Sequence, residues 1–100
     1  MLVFPFNPHE GTTQLVTTGA ASAPLVLNAQ DKCVRVVNYG ATNAAPVRLG
    51  IGVPVATAAD TVVAPLSTEI FYKGEGVNGI AVIQNTGATT LAISTGTDGT

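Results

Sequence analysis

The most constraining feature of this sequence is a series of short apolar segments, each bounded by glycine, proline, asparagine or aspartate. Threonine, valine and isoleucine supply about a third of the 100 residues, and these β-branched side chains favour the pleated surface of a sheet. No segment carries an apolar stripe at helical spacing without a glycine or proline break, so we expect no helix longer than one turn. Strand signals at this spacing are typical of a sandwich or a barrel.

Eight strands are predicted, enough for two packed sheets. They cover residues 12–18, 24–28, 32–38, 46–51, 61–64, 66–73, 79–84 and 89–95. The chain is therefore expected to be all-β: a single antiparallel β-sandwich or jelly-roll-like domain. A chain of this length holds one two-layer core and is too short for two. We expect an extended N-terminal arm at 1–11, the sandwich at 12–96 and a flexible tail at 97–100.

Alternation along the strands predicts which side chains face the core. In residues 46–51, Val47, Leu49 and Ile51 are expected to face inward, and Arg48 to point to solvent or to a partner. In residues 79–84 both alternating sets are largely apolar, which predicts a strand covered on two sides.

Two further expectations concern the strands on either side of the glycine-rich residues 74–79. In residues 66–73, Leu66 and Tyr72 are expected on the inward face, which places Phe71 and Lys73 on the polar face. Residues 85–88 contain a glycine suited to a tight turn, so residues 79–95 are predicted to form an antiparallel hairpin.

The low charge of the chain favours assembly. Charged residues make up 10% of the sequence, against roughly 25% in an ordinary soluble domain. A monomer usually covers itself with charged side chains, so a chain this poor in them either keeps an unusually neutral surface or buries much of that surface against copies or partners. Assembly is the interpretation we favour.

Two partner classes are disfavoured by charge and hydropathy. The four basic residues are scattered and the net charge is −2, which leaves no stripe able to neutralise several phosphates of a nucleic acid. No apolar run reaches the ~18 residues of a membrane span, and the apolar start of the chain lacks the basic flank of a secretory signal. We expect a soluble protein made in a cytoplasm.

The residues that carry chemistry are too few and too scattered to predict an active site. His9 is the only histidine and Cys33 the only cysteine, so neither a zinc set nor an internal disulfide is expected. The valines around Cys33 predict a buried thiol. Residues 74–79 match Gly-x-Gly-x-x-Gly by letter, but they link two predicted strands and open no helix. We expect no catalytic, metal or cofactor-binding residue, and no enzyme.

The order of the segments resembles the small β-sandwich virion proteins of tailed bacteriophages. The residues that carry the resemblance are ASAPLVL at 21–27, VRVVNYG at 34–40, a strand that ends at Gly50, VATA at 55–58, LSTEIF at 66–71, IAVI at 80–83 followed by Gly87, and LAISTG at 91–96. The resemblance spans residues 12–99. The segment from Phe4 to Glu10 has no counterpart in it.

This resemblance implies a structural protein of the virion, for instance a capsid decoration or cement protein, or else a subunit of the neck, tail or a head fibre. Its partners are then copies of itself and the major capsid protein or another virion protein, and it carries no catalytic residue. A cement protein bridges neighbouring capsid subunits, and a surface of low charge loses little free energy when it is desolvated.

Five residues are candidate contact residues for that role, because arginine and aromatic side chains dominate buried protein contacts. Phe4 and Phe6 are expected to anchor the arm on a neighbour, Arg35 and Arg48 to pair with acids across an interface, and Phe71 to fill a partner pocket. The alternative for each is a cap within its own chain or a solvated strand residue.

A carbohydrate- or receptor-binding module on the same scaffold is the alternative function of a different class. Sugar sites present an aromatic platform beside polar groups. The chain has no tryptophan, and outside the arm the candidate platforms are Tyr39, Phe71 and Tyr72.

Overall fold

The computed structural model describes residues 7–8, 13–57, 59–74 and 76–97, and within these ranges the chain is all-β with no helix. The strands there are β1 (Asn7–Pro8), β2 (Gln14–Thr17), β3 (Ala23–Val26), β4 (Cys33–Asn38), β5 (Ala45–Gly50), β6 (Thr61–Val63), β7 (Thr68–Tyr72), β8 (Gly79–Val82) and β9 (Thr90–Thr97). Strands β2 to β9 correspond one for one to the eight strands predicted from sequence.

The first sheet is built around β4 and β9, which pair antiparallel from Cys33 opposite Gly96 to Asn38 opposite Leu91. Strand β7 pairs with the other edge of β4. The far edge of β9 holds two strands in series, with β2 opposite residues 90–93 and β1 opposite residues 96–97. Strand β9 therefore pairs with every other strand of this sheet except β7.

The second sheet has the order β3-β8-β5-β6, again antiparallel throughout. The inner faces of the two sheets meet in one apolar cluster. Its buried members are Leu27, Val34, Val36, Ala45, Val47, Val63, Ile80, Val82, Leu91 and Ile93. Both sheets contribute, so the fold is an antiparallel β-sandwich, as the strand pattern predicts.

The predicted hairpin over residues 79–95 is wrong. Strand β8 lies in the second sheet between β3 and β5, whereas β9 lies in the first sheet between β2 and β4. Both strands are buried along both faces, which requires a central position in a sheet. Residues 83–89 therefore cross the ~10 Å between the two layers. The expectation that β8 is covered on two sides is confirmed, because every residue of it is buried.

The face assignment of β7 is reversed. Phe71 is the register partner of the fully buried Val34, and it packs against the core cluster. Lys73 is buried as well, whereas Leu66 and Tyr72 are exposed. The register with β4 decides which face turns inward, and alternation within β7 alone does not contain that information.

The described part of the predicted arm takes part in the sheet. Asn7 and Pro8 pair with Thr97 and Gly96, on an edge of β9 that β2 leaves unpaired beyond Ile93. Thr97, the first residue of the predicted tail, is correspondingly the last residue of β9. Phe4, Phe6 and His9 lie outside the described residues.

A buried asparagine closes one end of the core. Asn38 donates from Nδ2 to the carbonyl oxygens of Asn43 (2.9 Å) and Val63 (3.2 Å). Its Oδ1 accepts from the Thr89 hydroxyl (2.6 Å) and the Gly40 amide (2.9 Å). All of its side-chain hydrogen-bonding capacity is used, so β4 is fixed against the ends of β6 and β9.

Candidate contact surface

The outer face of the second sheet is covered by a segment that we call the strap, residues 51–57, which follows β5. Gly52 has a φ of 83°, which turns the chain out of β5 and onto the sheet. The Gly52 amide donates to Asn78 Oδ1 (2.9 Å) before β8, and the Ala56 amide donates to Ser22 Oγ (2.9 Å) before β3. The strap therefore crosses the sheet from β5 over β8 towards β3.

The strap fits against the sheet because two glycines lie beneath it. A Cβ added to Gly79 would lie 2.7 Å from the Gly52 carbonyl oxygen and 2.8 Å from Pro54 Cδ, and one added to Gly50 would lie 3.1 Å from Pro54 Cβ. Within the strap, Ala56 is buried and Pro54 half-buried. Its even-numbered positions thus hold it on the sheet.

The odd-numbered positions of the strap point outward, and the first three of them are aliphatic. Ile51, Val53 and Val55 are 61–75% exposed, and Val26, the register partner of Gly79, is 78% exposed beside them. We call these four residues the aliphatic patch. Ile51 was expected in the core, but β5 ends at Gly50 and the turn at Gly52 carries it outward.

The strap and its flanks carry no charge. Residues 49–59 contain no lysine, arginine, aspartate or glutamate. The nearest charged residues on each side, Arg48 and Asp60, pair with each other through Arg48 Nη2 and Asp60 Oδ1 at 2.8 Å. The Thr57 amide also donates to Asp60 Oδ2 (2.7 Å). The pKa of Asp60 lies below its ordinary value, first because of the Thr57 backbone hydrogen bond and also because of the Arg48 guanidinium.

Two of the five predicted contact residues line the same recess in the structure. Arg48 and Phe71 both line a recess of about 250 Å³ on the side of the sandwich, together with Val47, Leu49, Asp60 and Thr61. Arg48 is exposed, as predicted, but its acidic partner is Asp60 of its own chain. Phe71 is half-buried against the core. A contact role for either residue stays a prediction.

Arg35 lies apart from these two residues, in the middle of the first sheet. It is half-buried, with Ile70 and Ser94 as its register partners on either side. Its position is on the outward face of β4, opposite to the core-facing Val34 and Val36. A role of Arg35 at an interface also stays a prediction.

An open depression of about 600 Å³ lies at the end of the sandwich where β4 begins. Tyr72, which is 68% exposed, lines it with Gln30, Asp31 and Lys32. Of the three aromatic side chains considered as sugar platforms, Tyr72 is the exposed one that lies beside polar groups in a depression. Phe71 packs on the core, and Tyr39 is exposed at the other end of β4.

The nucleophilic groups near this end of the core are enclosed. Cys33 is buried, as predicted, and Lys73 is 1% exposed with its Nζ donating to the Val77 carbonyl oxygen (2.8 Å). Burial lowers the pKa of Lys73, and the carboxylate of Asp31 acts in the opposite direction. Neither side chain is accessible to a substrate, so both contribute to the interior of the sandwich.

The described ranges form neither a metal-binding group nor a membrane-spanning helix. Among those residues no three histidine, cysteine or acidic side chains come together as a metal-binding group. None of the described segments forms a helix of the length and hydropathy that a membrane span requires.

The class of protein that emerges is a β-sandwich with an uncharged aliphatic surface. Comparison with protein-family models finds no family that matches the chain, and comparison with curated proteins finds no matching relative. The surfaces of the molecule are therefore the features that bear on its function. The patch was missed in the sequence because Gly52 and Pro54 mark its segment as a loop. The alternation of Ile51, Val53 and Val55 without a nearby charge was the available signal.

Proposed function

We propose that this chain is a structural protein of a tailed-bacteriophage particle, most specifically a capsid decoration or cement protein. The observation that carries the proposal is the aliphatic patch. Three aliphatic side chains, each more than half exposed, stand on a segment with no charge, and the exposed Val26 of β3 adds a fourth. The largest exposed apolar patch of a protein is often functional, and contiguous exposed apolar groups mark contacts with other proteins.

The physical properties of the patch suit shell binding. Aliphatic groups lose no hydrogen bonds when water leaves them, so contact with a capsid surface carries little desolvation penalty. The strap is pinned to the sheet at Gly52 and Ala56, so little conformational entropy is lost on binding. A single patch gives weak affinity, and repetition over a shell adds such contacts through multivalency.

The same surface serves a subunit of the neck, tail or a head fibre, which is the alternative place in the particle. At each of these places in the particle the partners are virion proteins, the location is the virion and no residue is assigned a catalytic role. The number of copies per particle separates these places.

A reconstitution experiment tests the proposal. Particles from a phage genome carrying this gene and from its deletion mutant are prepared, and the purified full chain is added back to the deficient particles. We expect the wild-type chain to co-sediment with the particles at a saturating ratio and to raise the temperature at which they release DNA. An absence of co-sedimentation at any protein concentration contradicts the proposal.

Variants connect the binding to the patch. Val53→Asp places a carboxylate at the centre of the strap and is expected to weaken co-sedimentation at least ~10-fold, because the charge has to be desolvated on contact. Leu66→Asp is the matched control, since Leu66 is equally exposed and lies in the β6–β7 turn. Equal binding by the two variants contradicts a role of the patch in the shell contact.

A carbohydrate-binding module is the second candidate function, favoured by the depression at Tyr72. An exposed tyrosine ring beside Gln30 and Lys32 offers a stacking face and hydrogen-bonding groups for a pyranose. A glycan array tests it, followed by titration of any hit against Tyr72→Ala, with Tyr39→Ala as the control. Loss of binding in Tyr72→Ala alone supports this candidate, and a silent array rejects it.

A further inference from the structure

The aliphatic patch has one property that bears on the identity of its partner. Its two flanking charges, Arg48 and Asp60, neutralise each other at 2.8 Å, and the segment between them is uncharged. A partner cannot be selected here by opposite charge. The complementary surface has to be apolar and uncharged itself, and the patch meets that description.

The patch is also where the exposed apolar surface of the chain concentrates. Of the large apolar side chains that the described residues leave exposed, Val26, Ile51, Val53 and Val55 stand together. The others lie elsewhere: Leu15 on β2, Val62 on β6 and Tyr72 on β7 are on separate strands, and Tyr39 and Leu66 form a pair next to the hydrogen bond from the Leu66 amide to the Gly40 carbonyl. A copy of the chain would therefore bury the most apolar surface by packing against the outer face of the second sheet.

We propose that the aliphatic patch is a homotypic contact, in which two copies of this chain pack strap against strap about a two-fold axis. In a two-fold contact the same surface is used by both copies, so it has to be self-complementary in charge and polarity. This inference depends on the proposed function in taking the patch as a protein contact surface. The two contacts compete for that surface, so a chain whose patch is bound to the shell is not dimerised through it.

The size of the patch fits such a contact. Its four residues expose roughly 450 Å² in all, comparable with the ~300–600 Å² of the largest, often functional, apolar patch on a typical protein. Two such patches can bury at most roughly 900 Å², which falls in the range below ~1,200 Å² of weak and transient contacts. A net charge of −2 adds little repulsion between copies. A reversible dimer is the expected product.

Analytical ultracentrifugation of the full chain tests the contact. We expect the wild-type chain to dimerise with increasing concentration and Val53→Asp to raise the dimer dissociation constant at least ~100-fold, because two carboxylates would be buried beside the same axis. Leu66→Asp is the matched control and is expected to dimerise as the wild type does. A wild-type chain that stays monomeric up to ~1 mM, the weak limit of specific affinity, overturns the proposal. Val53→Asp and Leu66→Asp dimerising alike does so as well.

A cysteine pair provides a second test that does not depend on a charge in the strap. Cys33 is the only natural cysteine and is buried, so Val53→Cys introduces the one accessible thiol. Mild oxidation is expected to cross-link Val53→Cys into a disulfide dimer at concentrations where Leu66→Cys stays monomeric. Equal cross-linking of the two variants overturns the proposal.

The two proposals fail in different ways. A monomeric wild-type chain that still binds particles through the patch would remove the homotypic contact and leave the virion role in place. A dimer that requires Val53 but never binds particles would support the homotypic contact and remove the virion role.

Discussion

Gly50 and Gly79 are direct register partners in the second sheet, and Pro54 of the strap lies against the outer face of both. With no Cβ on either glycine, the strap backbone approaches the sheet closely enough for the Gly52 carbonyl oxygen to occupy the space that a Gly79 side chain would need. This pair of glycines is what places Ile51, Val53 and Val55 on the surface as one aliphatic row.

A side chain at Gly79 is expected to displace the strap. Gly79→Ala introduces a Cβ 2.7 Å from a backbone oxygen, which forces the strap to move and lowers the free energy of unfolding by about 1–3 kcal/mol. Gly19→Ala is the control, because a Cβ there meets no atom within 4 Å. Urea unfolding measures both. A Gly79→Ala variant as stable as Gly19→Ala would show that the strap does not rest on the sheet in this way.

The buried amide of Asn38 is expected to dominate stability at its end of the core. Asn38→Ala removes four hydrogen bonds and leaves the Val63 carbonyl and the Thr89 hydroxyl without their buried partner, which costs about 2–4 kcal/mol of unfolding free energy. Asn43→Ala removes side-chain hydrogen bonds that are exposed and is expected to cost less than about 1 kcal/mol. Thermal unfolding compares the two. Equal losses would contradict a special role for Asn38.

Leu66 occupies a backbone conformation that suits glycine. Its φ is 54° and its side chain is 72% exposed, so Leu66→Gly relieves strain of about 1 kcal/mol while giving up little apolar burial. We expect this variant to be more stable than the wild type by up to that amount. Leu15→Gly, at an equally exposed position within β2, is expected to destabilise by about 0.5–1 kcal/mol. If both variants lose stability equally, Leu66 is not strained.

The buried amine of Lys73 predicts a pH dependence of stability. Burial holds the pKa of Lys73 below its ordinary value of 10.5. Between the folded-state pKa and 10.5 the unfolded chain therefore binds more protons than the folded chain, and stability rises with pH. Lys73→Met lacks this titration. The unfolding free energy of the wild type minus that of Lys73→Met is expected to grow as the pH is raised towards 10.5. A difference that is flat or falls with pH would contradict it.

The sequence is sufficient to predict the strands but not their partners. Glycine, proline and asparagine bound each segment, and these residues act locally, so strands β2 to β9 appear where the pattern places them. The pairing of β8 and β9 with different sheets depends on neighbours far away in the chain. The inward face of β7 is set by the register of Phe71 with Val34, and nothing within β7 specifies that register.

The dependence on strands that are distant in the chain also explains which features of the contact surface the sequence did not predict. Arg48 was identified as outward-facing from alternation alone, but its pairing with Asp60 requires the fold of the strap. Val26 joins Ile51, Val53 and Val55 only because β3 pairs with β8 beneath the strap. Surfaces assembled from separate strands leave no continuous signal along a sequence.

The number of copies of this protein in purified phage particles, measured by quantitative mass spectrometry against the major capsid protein, decides whether the protein is part of the shell. We expect a ratio near one or a fixed simple fraction, as a shell-wide decoration or cement protein requires. A ratio of a few per cent would place the protein in the neck, tail or fibres. Its complete absence from the particles would contradict a virion role and leave the depression at Tyr72 as the candidate site to pursue.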